Sequence, residues 1–350
     1  MGVMRLVAIA ILGILLAAFL APPCILYPHS NPYPLPPSME EWKAQGMFVN
    51  VTLPTSPPTS PLSVFVWRQK STTGGGMPVF LVHGFPTSSY DYHKVAGEVL
   101  ADPRVSEVVA FDFPGFGLSS KPGTGEFSYD LADQAEVFLA VAKTFGISRG
   151  GLVCHDMGDT ICQEILAVWI ERIESERSPP PFTPLFAIFT NGGMVIELAS
   201  FRLSQVLLRT RGVGTAFVQF VNYAVLSHQI RSITGPHMTE EEIECMWASL
   251  MSNQGYATLP LSINYIEQRF ARGSSRWLPA LQTAISKHNL PVAFAWGRLD
   301  KVAPPAIGEA LIASLPSSIP FTWIPDSGHF PMLETPQSLL HVILSTIHRL

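Results

Sequence analysis

Short apolar runs alternate with stretches of helical spacing through most of this chain. "MPVFLVHG" (77–84) is followed by "YDYHKVAGEVLA" (90–101), and "VSEVVAFDFPG" (105–115) by "SYDLADQAEVFLAVAKTFG" (128–146), where Ser128 is a candidate cap. "GLVCHD" (151–156) leads into "MGDTICQEILAVWIERIES" (157–175), then "PLFAIFTNGG" (184–193). Further on, "PVAFAWG", "PAIGEALIASL", "FTWIPDSG" and "PQSLLHVILSTIHRL" repeat the rhythm. Runs that are apolar at every position predict strands buried on both faces. Strands alternating with helices predict a mostly parallel sheet between two helical layers. "MFVNVTL" and "SVFVWRQ" alternate with period two and predict an opening hairpin. Between 192 and 285 the pattern is helical throughout, including "ASFRLSQVLLRTR", "GTAFVQFVNYAVLS", "TEEEIECMWASLM", "LSINYIEQRFARG" and "WLPALQTAIS". A helical insertion between two buried strands predicts a cap over the carboxyl ends of the sheet, where open α/β sheets bind ligands.

The amino terminus follows another pattern. Arg5 precedes an apolar run from Leu6 to Ala21, ended by Pro22 and Pro23. Residues 1–21 read as a signal anchor or a cleaved signal peptide. The run is close to the minimum of about 17 residues for a membrane span. With Arg5 on the short side, the anchor reading puts the catalytic domain in the lumen, in the endoplasmic reticulum. Cleavage would make the protein secreted. Asn50-Val51-Thr52 is a glycosylation sequon that matters only in such a compartment. Residues 22–44 read as a Pro-rich linker, a semi-rigid spacer. The net charge of −5 and the lack of a Lys/Arg-rich stripe argue against a nucleic-acid partner. The four cysteines show no zinc spacing and no evident disulfide framework, although Cys154 and Cys162 flank one turn. No metal or organic cofactor is implied.

Four motifs fall where strands end. His83-Gly84-Phe85-Pro86 allows a sharp turn whose Phe85 amide can point into a site. Asp156, between His155 and Met157 and before Gly158, sits in a strand–turn–helix setting that matches G-x-S-x-G with Asp in place of Ser. Alone, it is equally a helix cap. Asp300 in "AWGRLDKVAPP" is equally an Asx-turn, and His329 in "PDSGHFPMLETP" a polar turn residue. The order Asp156, Asp300, His329 is that of nucleophile, acid and base in the α/β-hydrolase fold.

With "LVHGFPTSSYDY", "FDFPGFGLSSKP", "HDMGD", the post-strand "NGG" and "GHFPMLETP", the chain from about 45 onward resembles an α/β-hydrolase of the epoxide-hydrolase and haloalkane-dehalogenase branch. The resemblance implies a core over 45–191 and 286–350, with a helical cap over 192–285. It also implies a covalent aspartyl ester. An ester on Asp156 keeps a carbonyl that water can attack, whereas a serine would leave an inert ether on an sp³ carbon. His329 would activate that water, Asp300 would orient His329, and the amides of Phe85 and Met157 would hold the oxyanion.

The dehalogenase pattern has Asn and Trp at the positions of Phe85 and Met157, and neither of the residues here has a side-chain donor for a halide. An epoxide or similar lipophilic electrophile is therefore the leading substrate. Its ring oxygen would need a proton donor, for which Tyr265 and Tyr223 are the candidates, with Tyr256 a third. Two other readings compete: an esterase-like hydrolase, and a non-catalytic membrane-tethered binding protein. Asn191, where some dehalogenases carry their acid, favours Asp300 in that role. His155 reads as support for the turn, Asp159 as favourable to a helix start, and Glu334 as structural. Trp247 and Trp277 read as core or pocket wall.

Overall fold

The computed structural model describes residues 33–53, 61–72, 74–176 and 178–350. The expected anchor or signal segment lies outside them. Among the described residues no helix is long and apolar enough to cross a membrane.

Eight strands form one sheet. β1 (Gly46–Val51) and β2 (Leu62–Lys70) are the expected antiparallel pair, with Val49 opposite Val64. β3 (Met77–Val82), β4 (Val105–Phe111), β5 (Arg149–His155), β6 (Thr183–Thr190), β7 (Val292–Gly297) and β8 (Phe321–Ile324) follow the apolar runs. The spatial order is β1-β2-β4-β3-β5-β6-β7-β8, and every pairing beyond β2–β4 is parallel. The inner strands are buried on both faces over most of their length, in keeping with the apolar residues at their centres. Asn50 is exposed on the edge strand β1.

The helices are α1 (Pro37–Ala44), α2 (His93–Ala101), α3 (Leu131–Thr144), α4 (Met157–Ser175), α5 (Leu203–Arg209), α6 (Val213–Phe217), α7 (Tyr223–Ile233), α8 (Glu240–Met251), α9 (Leu259–Ser262), α10 (Tyr265–Arg272), α11 (Leu278–Ser286), α12 (Pro305–Ser314), α13 (Pro331–Glu334) and α14 (Pro336–Ile347).

α1 corrects the linker expectation. Pro37 opens a helix, and Met39 and Trp42, three residues apart, turn to one face and are buried. Trp42 stacks on Trp67 of β2 at 4.5 Å and donates to Ser89. An apolar pair at helical spacing overrides the proline-rich composition. In α3 the cap residue is Asp130, not Ser128. The Ser128 hydroxyl accepts the Asp130 N–H at 2.9 Å and bonds Asp133.

"GTAFVQFVNYAVLS" breaks into α6, a 3₁₀ turn and α7 at the Asn222 cap, whose side chain accepts the Val225 N–H. At the end of the helical insertion the chain is tied to the core. Arg276 makes two bonds of 2.7 Å to Glu164 of α4, and Trp277 donates to the same carboxylate. Glu164 is nearly buried, so these charge-assisted bonds stand in for its lost water.

Candidate active site

The turn from β5 into α4 is built around Asp156, whose backbone takes φ 47° and ψ −111°. A non-glycine residue there costs roughly 1–3 kcal/mol and persists only where its surroundings enforce it. The enforcement is visible on both sides. The Asp156 N–H donates to Thr190 of β6 at 3.2 Å, and its carbonyl accepts from Asp159 at 3.1 Å. Gly84 completes the fit: a Cβ there would lie 2.7 Å from that of Asp156, so any side chain would collide. The close approach brings the Phe85 N–H to 3.1 Å from Oδ2 of Asp156. Met157 is the first residue of α4, where helix geometry leaves the N–H without an intrahelical acceptor.

A disulfide joins Cys154 at the end of β5 to Cys162 on α4, with Cα atoms 6.7 Å apart. It staples the two arms of the turn. The spacing showed no disulfide framework because only the sharp strand-to-helix reversal brings residues eight apart together.

The remaining two motifs meet at a second loop. Nδ1 of His329 donates to Oδ2 of Asp300 at 2.8 Å. Oδ1 of Asp300 accepts from Val302 and Ala303. Asn191 donates to Asp300 at 2.8 Å while its own Oδ1 accepts the Gly297 N–H. Asn191 thus orients the acid from the position where some dehalogenases place theirs. Burial alone would raise the Asp300 pKa, but the His329 charge and these donors outweigh it and hold the carboxyl below its usual range. Burial alone would lower the His329 pKa. The carboxylates of Asp300 and Asp156 outweigh it and push the imidazole up to about 9.

His155 is fully buried and donates Nε2–H to the His329 carbonyl at 2.8 Å. Burial and the neighbouring His329 charge push its pKa down to about 3, so it stays neutral. Its bond braces the His329 loop. Glu334 ends α13, and its carboxylate collects the N–H groups of Gly328, Phe330 and Gly235, at 2.9, 2.9 and 2.5 Å. Asp159 stands in the first turn of α4, where burial raises its pKa well above the ordinary carboxyl range. Its Oδ1 accepts the Thr190 N–H.

Arg269 of α10 is the functional residue that the sequence reading missed. It is buried, donates Nε–H to Thr160 at 2.8 Å and Nη2–H to the Asp156 carbonyl at 2.5 Å, and places Nη1 3.5 Å from Asp156 Oδ1. Gly193 makes room for it, since a Cβ there would lie 2.7 Å from Nη1. The "NGG" after β6 is therefore the cradle of a cap-borne cation. The available signal was spacing. Arg269 lies four residues beyond Tyr265, so a helix that turns one inward turns the other inward.

The two tyrosine candidates separate. Tyr265 is buried beside Asp156. Its ring lies 4.7 Å under the Arg269 guanidinium and 5.6 Å from Phe85, and its hydroxyl shares a hydrogen bond with Gln205. Burial first, and then the Asp156 charge, raise its pKa. The Tyr223 hydroxyl instead bonds Glu240 at the surface of the cap, and its ring packs near Trp247. Tyr223, Tyr256 and Tyr265 are all absent from the lining of the cavity that holds Asp156. Tyr256 is buried, and of the three it is Tyr265 that lies against Arg269 and feels the Asp156 charge.

The cavity is partly open to solvent, and the space it bounds, with the solvent it admits included, is about 780 Å³. Asp156 and His329 lie at its floor with Phe85 and Phe330. Its cap walls include Leu208, Phe217, Leu226 and Ile230, with Arg202, Ser204, Gln205 and Gln229 as polar members. Among the described residues no cluster of His, Cys, Asp or Glu has the makings of a metal site.

This arrangement of an acid-bearing turn, an Asp–His pair and a helical cap on a mostly parallel sheet has a counterpart among known families. Residues 79–341 match the alpha/beta hydrolase family, and the chain belongs to it. It is similar to the mesoderm-specific transcript homolog protein of Bos taurus, 32% identical over 92% of this chain and 91% of that protein. It is also similar to haloalkane dehalogenase 2 of Mycobacterium bovis, 25% identical over 77% of this chain and 88% of that one. Among solved structures, a thermophilic esterase from Thermogutta terrifontis superposes with a TM-score of 0.59 at 20% identity, over 87% of this chain and 98% of the esterase. That likeness speaks for the fold alone.

Proposed function

We propose that the protein hydrolyses a lipophilic electrophile, an epoxide in the leading case, through an ester on Asp156. The observation that carries this reading is one apolar cavity with the Asp156 carboxylate and His329 at its floor, and the Phe85 N–H already on Oδ2. Oδ1 attacks a ring carbon, the C–O bond breaks, and the leaving oxygen takes the proton of Tyr265. The Arg269 charge over the ring favours the resulting phenolate. Water then adds to the ester carbonyl and gives a proton to His329, while the amides of Phe85 and Met157 hold the oxyanion. Collapse expels the diol oxygen, which takes the proton back from His329, and Asp156 returns its proton to Tyr265.

The resting imidazole has a pKa of about 9, which would favour its charged form at neutral pH. Esterification removes the Asp156 charge, one of the influences that raise this value. With that influence gone the imidazolium gives up its proton to solvent more readily, and the neutral imidazole can then take one from the attacking water. Phe85 and Met157 offer no side-chain donor to a halide, so a halogenated substrate fits less well.

Turnover in ¹⁸O-water, followed by mass spectrometry of the Asp156 peptide, tests the reading. Label in Asp156 is expected. Activity without label would overturn the covalent step. Activity surviving in Asp156→Ala but lost in His329→Ala would point to direct water attack on an ester. A lumenal or extracellular place of work belongs to the same proposal. The Cys154–Cys162 bond and the exposed Asn50 sequon both suit an oxidising, glycosylating compartment.

A further inference from the structure

Three large apolar side chains beside the cavity are exposed. Leu203 is 64% exposed, Phe220 37% and Val225 36%; Val225 lines the cavity, and Leu203 and Phe220 are next in sequence to residues that line it, Arg202, Ser204 and Val221. α5 and α7 are held side by side here. Arg202 donates to Ser232 at 2.9 Å and Ser204 to Gln229 at 2.5 Å. Val225, Gln229 and Ser232 recur at i, i+4 and i+7, on one face of α7. Exposed large apolar side chains around an opening mark a docking surface.

Two independent facts choose the occupant. The first is charge. From Leu198 to Thr239 there is no Asp or Glu, against four Arg and two His, in a chain whose net charge is −5. Arg209 is paired with Glu267 and Arg231 with Glu240, which leaves Arg202 and Arg211 as the arginines of this stretch outside any ion pair among the described residues. The second is the course of the chain. Tyr33, the first described residue, accepts a hydrogen bond from Trp247 at 2.9 Å, and Trp247 packs edge-on against Tyr223. Tyr223 opens α7, two residues from Val225 and three from Phe220. Residues 22–32 separate Tyr33 from the apolar run that ends at Ala21, and they span at most about 40 Å when fully extended. A chain held in a membrane by residues 6–21 therefore meets the domain beside these apolar side chains.

We infer that the α5–α7 face of the cap rests on a phospholipid bilayer, so that the cavity opens onto the membrane. Leu203, Phe220 and Val225 would enter the boundary between headgroups and acyl chains, and Arg202 and Arg211 would meet the phosphates. The inference depends on the mouth of the cavity and not on the aspartyl-ester chemistry.

The test uses the full chain in vesicles of phosphatidylcholine and phosphatidylserine, with photoreactive benzoylphenylalanine replacing Phe220. The control replaces Leu350, which is exposed just beyond the end of α14. There His348 and Arg104 tie α14 to the residues ahead of the amino end of β4, opposite the cap. Phospholipid adducts are expected at 220 in about tenfold excess over 350. Equal yields at the two sites, no lipid adduct at 220, or adducts to protein in place of lipid would overturn the inference. Replacing Leu203 in the same way gives a second reading should the Phe220 variant misfold. An Asp156→Ala background should leave the adducts unchanged, which separates this outcome from that of the proposed reaction.

Discussion

Core and cap place their groups by different means. In the core, backbone does the placing. The Phe85 and Met157 amides, the Asp156 turn and the Asp300 loop all follow from where parallel strands end. In the cap, side chains do the placing. Arg269, Tyr265 and the apolar walls are brought in by helices whose positions depend on particular bonds, such as Gln268 to Leu131 at 2.8 Å and Arg276 to Glu164. In the proposed reaction the core supplies Asp156, Asp300 and His329, while the cap supplies Tyr265 and the walls. Arg269 crosses the division, because it rises from the cap and bonds the Asp156 carbonyl.

The largest effect should come from the core. Asp156→Ala should lower kcat by about 10⁴-fold or more, as loss of a nucleophile does elsewhere. His329→Gln should leave an ester that adds the substrate mass to the protein. Circular dichroism unchanged from wild type would tie both losses to chemistry.

Arg269→Gln tests whether a cap residue can act with the force of a core one. Breaking a buried ion pair from one side costs about 3–5 kcal/mol. A fall of that size in denaturant-measured stability is expected, together with a drop in kcat. Arg269→Lys should not rescue either, since one ammonium cannot reach Thr160 and the Asp156 carbonyl together. A variant as stable and active as wild type would restore a strict division between the two regions.

Removing the staple with paired Cys154→Ala and Cys162→Ala substitutions should cost about 2–3 kcal/mol, given the short loop it closes. Urea unfolding of the oxidised protein and the double variant would measure it.

Within the cap, Tyr265→Phe should slow the chemical step by about 100-fold, the low end for a lost proton donor, whereas Tyr223→Phe should stay within about twofold. The reverse ranking in single-turnover kinetics would exchange the roles of the two helices.

The smallest test is pH. Water attack needs neutral His329, so ester hydrolysis should rise with pH. Its apparent pKa should fall below the resting value of about 9, because the ester has lost the Asp156 charge. A rate that falls between pH 6 and 9 would contradict the base role.

Much of this molecule was already determined by the linear chain. Short apolar runs bounded by turn residues and alternating with helical stretches read as strands covered on both faces, and the turns between them mark where polar groups can gather. The Asp156, Asp300 and His329 positions, the Phe85 amide and the opening hairpin are local consequences of that pattern. Tertiary structure decided the rest. Trp42 needed Trp67 before a proline-rich stretch could become a packed helix. Cys154 and Cys162 needed the reversal at Asp156 before they could bond. Arg269, an ordinary amphipathic-helix residue by spacing, became a partner of Asp156 only when Gly193 left space for its guanidinium. Tyr223 and Tyr265 looked alike in sequence, because helical periodicity says which residues share a face but not what that face meets. A strand carries its address in its own composition, whereas a cap helix receives its own from the surface it packs on.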